Sequence, residues 1–350
     1  MKISIGLKSK NKAWGGGNQF VKNLSNYLIK NNHKVTYNLN SEDIDLILLI
    51  DPRPESESAS FNHFDIQNYL KKKPDTIIVH RINECDERKK TNHVNHFIKQ
   101  ASKVSDFRIF ISKWLQTIHS INKNNEKVIL NGADTKIFKN YKNKIKNKKI
   151  NIVTHHWSAH EMKGMKYYIF LDQLLKTNSF NKNFSFSYIG NLAKDHKFRF
   201  SKIYKPKHGI ELAKNISKHN VYITASQNEP GGNHHVEALN CGLPILYIKS
   251  GPMQEYCKNY GYGFKNEIEL KQCLFKIKKN YKYFYKKTKS YKLNSQFTNK
   301  NYLKTFEILI KNKNKIINKR SKNLNFFDKM NFNIYLILFK IKFIIKKLFY

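Results

Sequence analysis

The stretch Ser226-Gln227-Asn228-Glu229-Pro230-Gly231-Gly232-Asn233-His234-His235-Val236-Glu237-Ala238-Leu239-Asn240-Cys241-Gly242-Leu243-Pro244 decides the architecture. The apolar residues 221–225 before it read as a buried strand, and residues 244–248 after it as another. Between them a Gly-Gly turn opens an amphipathic segment that Cys-Gly-Leu-Pro closes. Strand, glycine loop, helix, strand is the unit that binds ligands at the C-terminal edge of a parallel sheet. Glu229 and Glu237 flank the turn with seven residues between them. Carboxylates at such an edge suit the hydroxyls of a ribose or a sugar, and free loop N–H groups and a helix N-terminus suit anionic ligand atoms. The plainer reading is a first-turn acid that favours the helix dipole, with Glu229 a solvated loop residue.

Working outward, the same rhythm repeats. Residues 3–7 form a first strand, and Gly15-Gly16-Gly17 opens a helical pattern over 18–30 carried by Phe20, Val21, Leu24, Tyr27 and Leu28. Further strands are expected at 34–37, 44–50, 76–80, 107–111 and 127–130, with a helix near 92–104. A Lys/Asn-rich stretch within 135–149 reads as a linker. A second alternating half follows: strands at 150–154 and 185–189, helices at 165–175, 209–217, 267–279 and 300–311. Alternation of this kind predicts α/β architecture with doubly wound parallel sheets. The expected domains are 1–140, 141–298, a crossing helix and linker at 299–325, and a basic hydrophobic tail at 326–350.

The chain has 350 residues, enough for two cores, and 65 Lys plus Arg against 25 Asp plus Glu, a formal charge of +40. The lysines are spread along the whole chain together with many Asn, Ile, Phe and Tyr. No zinc-finger spacing or aromatic RNA-binding signature accompanies the charge, so nucleic acid is not the expected partner. Four widely spaced cysteines without a CxxC, and an N-terminus too short in apolar residues for a secretory signal, make a cytosolic chain the expectation. The tail's longest uncharged stretch, 331–339, is far short of the roughly 20 residues that span a bilayer. Its aromatic and basic composition fits a peripheral anionic membrane surface or packing on the protein itself.

Glu229-x7-Glu237 with Cys241-Gly-Leu-Pro244 resembles the signature of retaining GT-B glycosyltransferases of the family-4 type. Three more elements, in the expected order, carry the resemblance. Trp14-Gly-Gly-Gly-Asn18 with the following helix and His33-Lys-Val35 is similar to the loop that opens these enzymes. Asn131-Gly132-Ala-Asp134-Thr-Lys-Ile-Phe138 matches the end of their first domain, and Lys163-Gly164 matches part of their diphosphate site. The first loop lacks GxGxxG and a ribose-binding acid, which argues against a nicotinamide enzyme.

The resemblance implies a GT-B fold, two Rossmann-like domains facing across a cleft, and transfer of a sugar from a UDP- or GDP-linked donor to an acceptor hydroxyl with retention. It implies a hexosyltransferase-type enzyme of surface polysaccharide or glycolipid synthesis, with a glycan or lipid-linked acceptor. Lys163 would steady the leaving diphosphate, and Glu237 the ribose. Glu229 with Gly231, Gly232 and Asn233 would hold the sugar, and Gly16 and Gly17 would face the diphosphate from the first domain. His80 is similar to a strand-end histidine that touches the donor sugar or acceptor. Arg81, His156 and Asp51 are candidate phosphate or acceptor contacts. Glu84 and Asp86 are further acceptor-side candidates, and Ser112 is read as a helix cap. The family's arginine near Lys163 has no counterpart, since Ser158 or its neighbours fall there, and His155, His156 or Arg81 are the candidate substitutes. His155, His156, His160, His234 and His235 could be read as metal ligands by residue type, but no Cys or paired carboxylates accompany them, and no metal or cofactor is expected. Two alternatives stand beside this reading: another GT-B enzyme, such as an epimerase or phosphorylase, and a non-catalytic basic nucleic-acid- or membrane-binding protein on a decayed transferase fold.

Overall fold

A computed structural model of the chain describes residues 1–8, 16–141, 149–193 and 196–323. Residues 142–148 of the expected linker and the tail at 326–350 lie outside the described residues.

The first half holds strands β1 (Lys2–Ile5), β2 (Lys34–Thr36), β3 (Leu46–Leu49), β4 (Ile77–Ile82), β5 (Phe107–Phe110) and β6 (Glu126–Val128). All pair in parallel, in the order β2-β1-β3-β4-β5-β6. Helices α1 (Gly16–Lys30), α2 (His63–Lys72), α3 (Val94–Val104) and α4 (Lys113–His119) connect them. Every residue of β3 and β4 is buried, as expected of central strands covered on both faces.

The second half repeats the plan with β7 (Ile150–His156), β8 (Phe184–Gly190), β9 (Lys202–Tyr204), β10 (Val221–Thr224), β11 (Ile245–Ile248) and β12 (Gly261–Phe264). Their parallel order is β12-β11-β10-β7-β8-β9. Around them lie α5 (Met165–Leu174), α6 (Asn178–Asn181), α7 (Gly209–Ser217), α8 (Asn233–Asn240), α9 (Met253–Cys257), α10 (Glu267–Lys279) and α11 (Tyr281–Thr288). The chain then returns through α12 (Ser295–Lys311) and α13 (Lys313–Asn323).

α12 belongs to the core of the first half. Its Tyr302, Phe306 and Leu309 pack with Phe20, Leu24 and Leu28 of α1, and the Phe20 and Tyr302 rings lie 5.1 Å apart. Each such side chain contributes about 1.5–3 kcal/mol by leaving water. The return is why Gly132 is a glycine: a Cβ there would sit 2.2 Å from the Asn294 carbonyl, where Ser295 N–H donates to the Ala133 carbonyl at 2.8 Å.

Several elements depart from the sequence expectation. α1 starts at Gly16, so Gly16 and Gly17 form its first turn rather than a loop before it. α2 arises without an expected pattern, fixed by Asn62 and Asp65, which cap each other's backbone N–H groups. β9 is too short to show periodicity, and two glycines mask β12. β4 runs on to Ile82, two residues past the expected end at His80.

Polar contacts seam the two halves. Glu255 accepts from the Lys113 and Trp114 N–H groups at 2.7 and 2.8 Å, capping α4 from the opposite half. Asn131 Nδ2 donates to the Gly231 carbonyl at 2.6 Å, and its N–H to Tyr256 Oη at 3.0 Å. These bonds set the distance between the C-terminal edges of the two sheets.

Candidate active site

The candidate donor residues gather where the two sheet edges meet. β10 ends at Thr224 and its loop carries Glu229, aimed by Asn228, a non-glycine residue at φ 46°. Asn228 is locked there by its N–H donating to Ser250 Oγ at 3.0 Å, and its Nδ2 reaches across to the Glu87 carbonyl at 3.3 Å. Gly232 caps α8 without a side-chain bond, so the first-turn N–H groups of α8 have no side-chain cap from it.

β7 supplies the neighbouring edge. After it, the turn Glu161–Lys163 delivers Lys163, and Gly164 turns the chain into α5 at φ 78°. A Cβ on Gly164 would lie 2.2 Å from the Ala225 carbonyl, so the glycine that follows Lys163 is dictated by packing against the residue after β10.

Lys163 Nζ donates to Glu229 Oε2, and Arg88 Nε stands 3.2 Å from Glu229 Oε1 as an ion pair from the first half. Burial alone would raise the Glu229 carboxyl's pKa, but the ammonium and guanidinium overcome it and hold the carboxyl well below the usual range. The Glu229 side chain is 8% exposed and ionised. Arg88 Nη1 also donates to Glu84 Oε2 at 2.5 Å. A cavity of about 290 Å³ opens beside this cluster, lined among others by Arg88, Lys163, Glu229, Trp157, Ser158 and Gln227.

Glu237, half-buried on α8, faces His155 at the end of β7, with Oε2 3.0 Å from Nε2. Tyr222 Oη lies 3.1 Å from His155 Nδ1, which fixes the ring's orientation. Across the seam Asn233 Nδ2 approaches the Gly16 carbonyl at 3.5 Å, so two candidate donor contacts from opposite halves meet. Gly231 and Gly232 sit between Glu229 and that meeting point.

The other candidates are placed differently. His80 is fully buried within β4 and does not line the cavity beside Glu229, and its ring nitrogens have no partner among the described residues; burial pushes its pKa down to about 3. Its expected position at the strand end fails because β4 continues to Ile82. His156 is buried against Tyr168 Oη at 2.7 Å, and burial first, then the Lys163 charge, keep it neutral. A neutral imidazole does not supply the positive charge missing from the family pattern. Arg81 is 2% exposed, its guanidinium 3.9 Å from the Phe20 ring and its Nη2 donating to Asn131 Oδ1 at 2.9 Å. Asp51 accepts from Arg53 Nε and Nη2 at 2.9 and 2.7 Å. Asp86 accepts the N–H groups that open α3, and Ser112 caps α4 as expected.

Four of the five histidines weighed as metal ligands turn to other partners, His155 to Glu237, His156 to Tyr168, His234 to Thr224 at 2.8 Å and His160 to the Met162 N–H, while His235 is buried with neither ring nitrogen bonded among the described residues. Among the described residues no group of three His, Cys, Asp or Glu side chains is set to hold a metal ion. No helix of the described residues is long and apolar enough to cross a membrane. Sequence reasoning missed Arg88 as a cleft residue, because nothing in its spacing links Cys85-Asp-Glu-Arg88 to a loop 141 residues away.

By sequence, the chain matches no protein-family profile and no curated protein. By structure it is similar to sucrose-phosphate synthase from Thermosynechococcus elongatus, with TM-score 0.63, 12% identity, and coverage of 88% of this chain and 98% of that one. HepE from Anabaena, solved with UDP and glucose, aligns with TM-score 0.63 and 14% identity over 88% of this chain and all of that one. AviGT4, a glycosyltransferase involved in avilamycin A biosynthesis, aligns with TM-score 0.59 and 12% identity over 88% and 98%. Two parallel six-stranded sheets, helices on their faces and a cleft between their C-terminal edges give the chain the GT-B fold.

Proposed function

We propose that the protein is a glycosyltransferase that moves a sugar from a UDP- or GDP-linked donor to an acceptor hydroxyl, with retention and without a metal. The observation that carries this reading is Glu229: a buried, ionised carboxylate beside an open cavity, with cations from both halves on it and an α8 N-terminus next to it. Carboxylate, ammonium and free N–H groups within one site fit a ligand that joins hydroxyls to a diphosphate.

In this reading Glu237 takes the ribose hydroxyls, with His155 holding its carboxylate in place. Glu229 and the N–H groups of Gly231, Gly232 and Asn233 take the sugar hydroxyls, and Gly16 and Gly17 approach the diphosphate from the first half. The bond between the anomeric carbon and the β-phosphate oxygen breaks while the acceptor oxygen bonds to the same face of that carbon. The acceptor proton passes to the departing phosphate oxygen. Lys163 and the helix N-terminus meet the charge that develops there, a preorganised electrostatic contribution. Front-face attack needs positioning and leaving-group stabilisation and no protein nucleophile. The basic, aromatic composition of residues 326–350 supports an acceptor at an anionic membrane surface, such as a lipid-linked glycan; deleting those residues should abolish liposome flotation.

The test is a panel of UDP-, GDP-, ADP- and CMP-sugars scored by thermal stabilisation, wild type beside Glu237→Ala. A ligand that binds only the folded state raises its melting temperature. Stabilisation by one donor class, lost in Glu237→Ala, is the expected result. A flat panel would favour a non-catalytic basic protein on this fold.

A further inference from the structure

We infer that Arg88, a residue of the first half, is the second cation of the diphosphate site and clamps the donor's β-phosphate opposite Lys163. The inference rests on the nucleotide-sugar reading above and assigns it a residue that no spacing pattern marks.

Among the residues lining the cavity, the second half offers one Lys or Arg side chain, Lys163, and it is already engaged with Glu229. A diphosphate brings at least two negative charges into a partly buried space, where a single engaged ammonium leaves most of that charge uncompensated. The neutral His156 does not help. The first half fills the gap: Arg88 and Lys89 line the same cavity from across the cleft, giving three cations against the one lining carboxylate, Glu229.

Arg88 is also held in a way that leaves donors to spare. Glu84 fixes Nη1 from behind, Glu229 faces Nε, and Nη2 donates to no described residue. The side chain is 28% exposed, positioned by its own half and open to the cavity. A guanidinium so held offers the planar pair of N–H groups that phosphate oxygens accept in bidentate fashion. The contact with Glu229 lacks hydrogen-bond geometry, an ion pair that an arriving phosphate can outcompete. Arg88 then turns to the diphosphate, Glu229 keeps Lys163, and Glu229 Oε1 is released to a sugar hydroxyl. Because Arg88 and Lys163 come from opposite halves, the diphosphate bridges them and draws the cleft together. Arg88 is in this account a donor-binding residue whose loss falls on the diphosphate and spares the nucleoside.

The experiment is calorimetric titration of UDP, UMP, GDP and GMP into the full-length wild type, Arg88→Gln and Arg88→Met, the last preserving the stem if the first does not fold. In wild type one diphosphate should bind more tightly than its monophosphate. Either variant should weaken that diphosphate about 10- to 100-fold, the cost of one charge-assisted contact, while monophosphate affinity stays unchanged. A purely structural role for Arg88, steadying Glu229, would leave the ratio of diphosphate to monophosphate affinity as in wild type, and that result overturns the inference while leaving the donor reading intact. Wild-type protein that binds none of the four nucleotides overturns both.

Discussion

On the second-half side of the cleft, Lys163, Glu229 and Glu237 come from two strand–loop–helix units, β7 to α5 and β10 to α8, whose strands pair side by side. On the first-half side, Asp51 is bound by Arg53, His80 is buried within β4, and the groups that reach the cavity are Arg88 and Lys89, from a short turn after β4. One wall is therefore set by short-range backbone geometry. The other depends on how the two halves come together, through Arg88 with Glu229, Lys90 with Glu161 at 2.8 Å, and Asn228 with the Glu87 carbonyl. The wall built from contiguous units should hold its geometry alone, whereas the assembled wall should contribute only when the cleft is closed.

The strongest way to break this contrast is Lys163→Ala. It removes the second half's cation from the leaving group, and turnover should fall about 10²- to 10³-fold, as for loss of one preorganised donor. Steady-state rates at saturating donor measure it. A loss under about threefold would mean that the first wall carries the charge unaided.

Next comes Gly164→Ala, which tests whether the second wall is fixed by its backbone. The residue sits at φ 78° and its added Cβ would meet the Ala225 carbonyl at 2.2 Å. Stability should fall by about 2–4 kcal/mol, read from urea unfolding. An unchanged midpoint would show that the turn adapts.

Acid should weaken both halves, because each buries neutral histidines. His80 and His235 are both pushed down to about 3 by burial, from an ordinary 6.5. Their folded pKa values lie below the unfolded one, so the unfolded chain binds more protons in between. The stability they contribute is complete above pH 6.5 and is lost as pH falls toward 3, by up to about 1.4 kcal/mol per pH unit for each. Urea midpoints across that window should decline, and a flat profile would contradict their burial as neutral rings. The smallest effect is expected for His80→Leu. It removes two buried ring nitrogens that have no partner among the described residues, so stability should stay within about 1 kcal/mol or rise. A larger loss would reveal a polar partner for the ring.

How much of this was legible in the chain follows the same division. The α/β alternation, α7 and α10 to the residue, and the grouping of Lys163, Glu229 and Glu237 at one sheet edge all rest on local periodicity and on motifs within one unit. Residues 221–225 could be read as a strand because a central parallel strand is apolar throughout. Arg88 could not be read, since its partner comes from a loop of the other half. The strand end expected at His80 differs for a simpler reason: two further buried residues, Arg81 and Ile82, lengthen β4, and a charged Arg after an apolar run looks like a strand end. Arg81 is accommodated there by the Phe20 face and Asn131, neither of which is near it in sequence.

The most direct test of the central claim is release of nucleoside diphosphate from the sugar-nucleotide panel, wild type beside Glu229→Gln. Wild type should turn over one donor class, and the variant, which keeps the shape but lacks the charge that organises Lys163 and Arg88, should be slower by about 100-fold. Equal release by both proteins, or none from any donor, would contradict it.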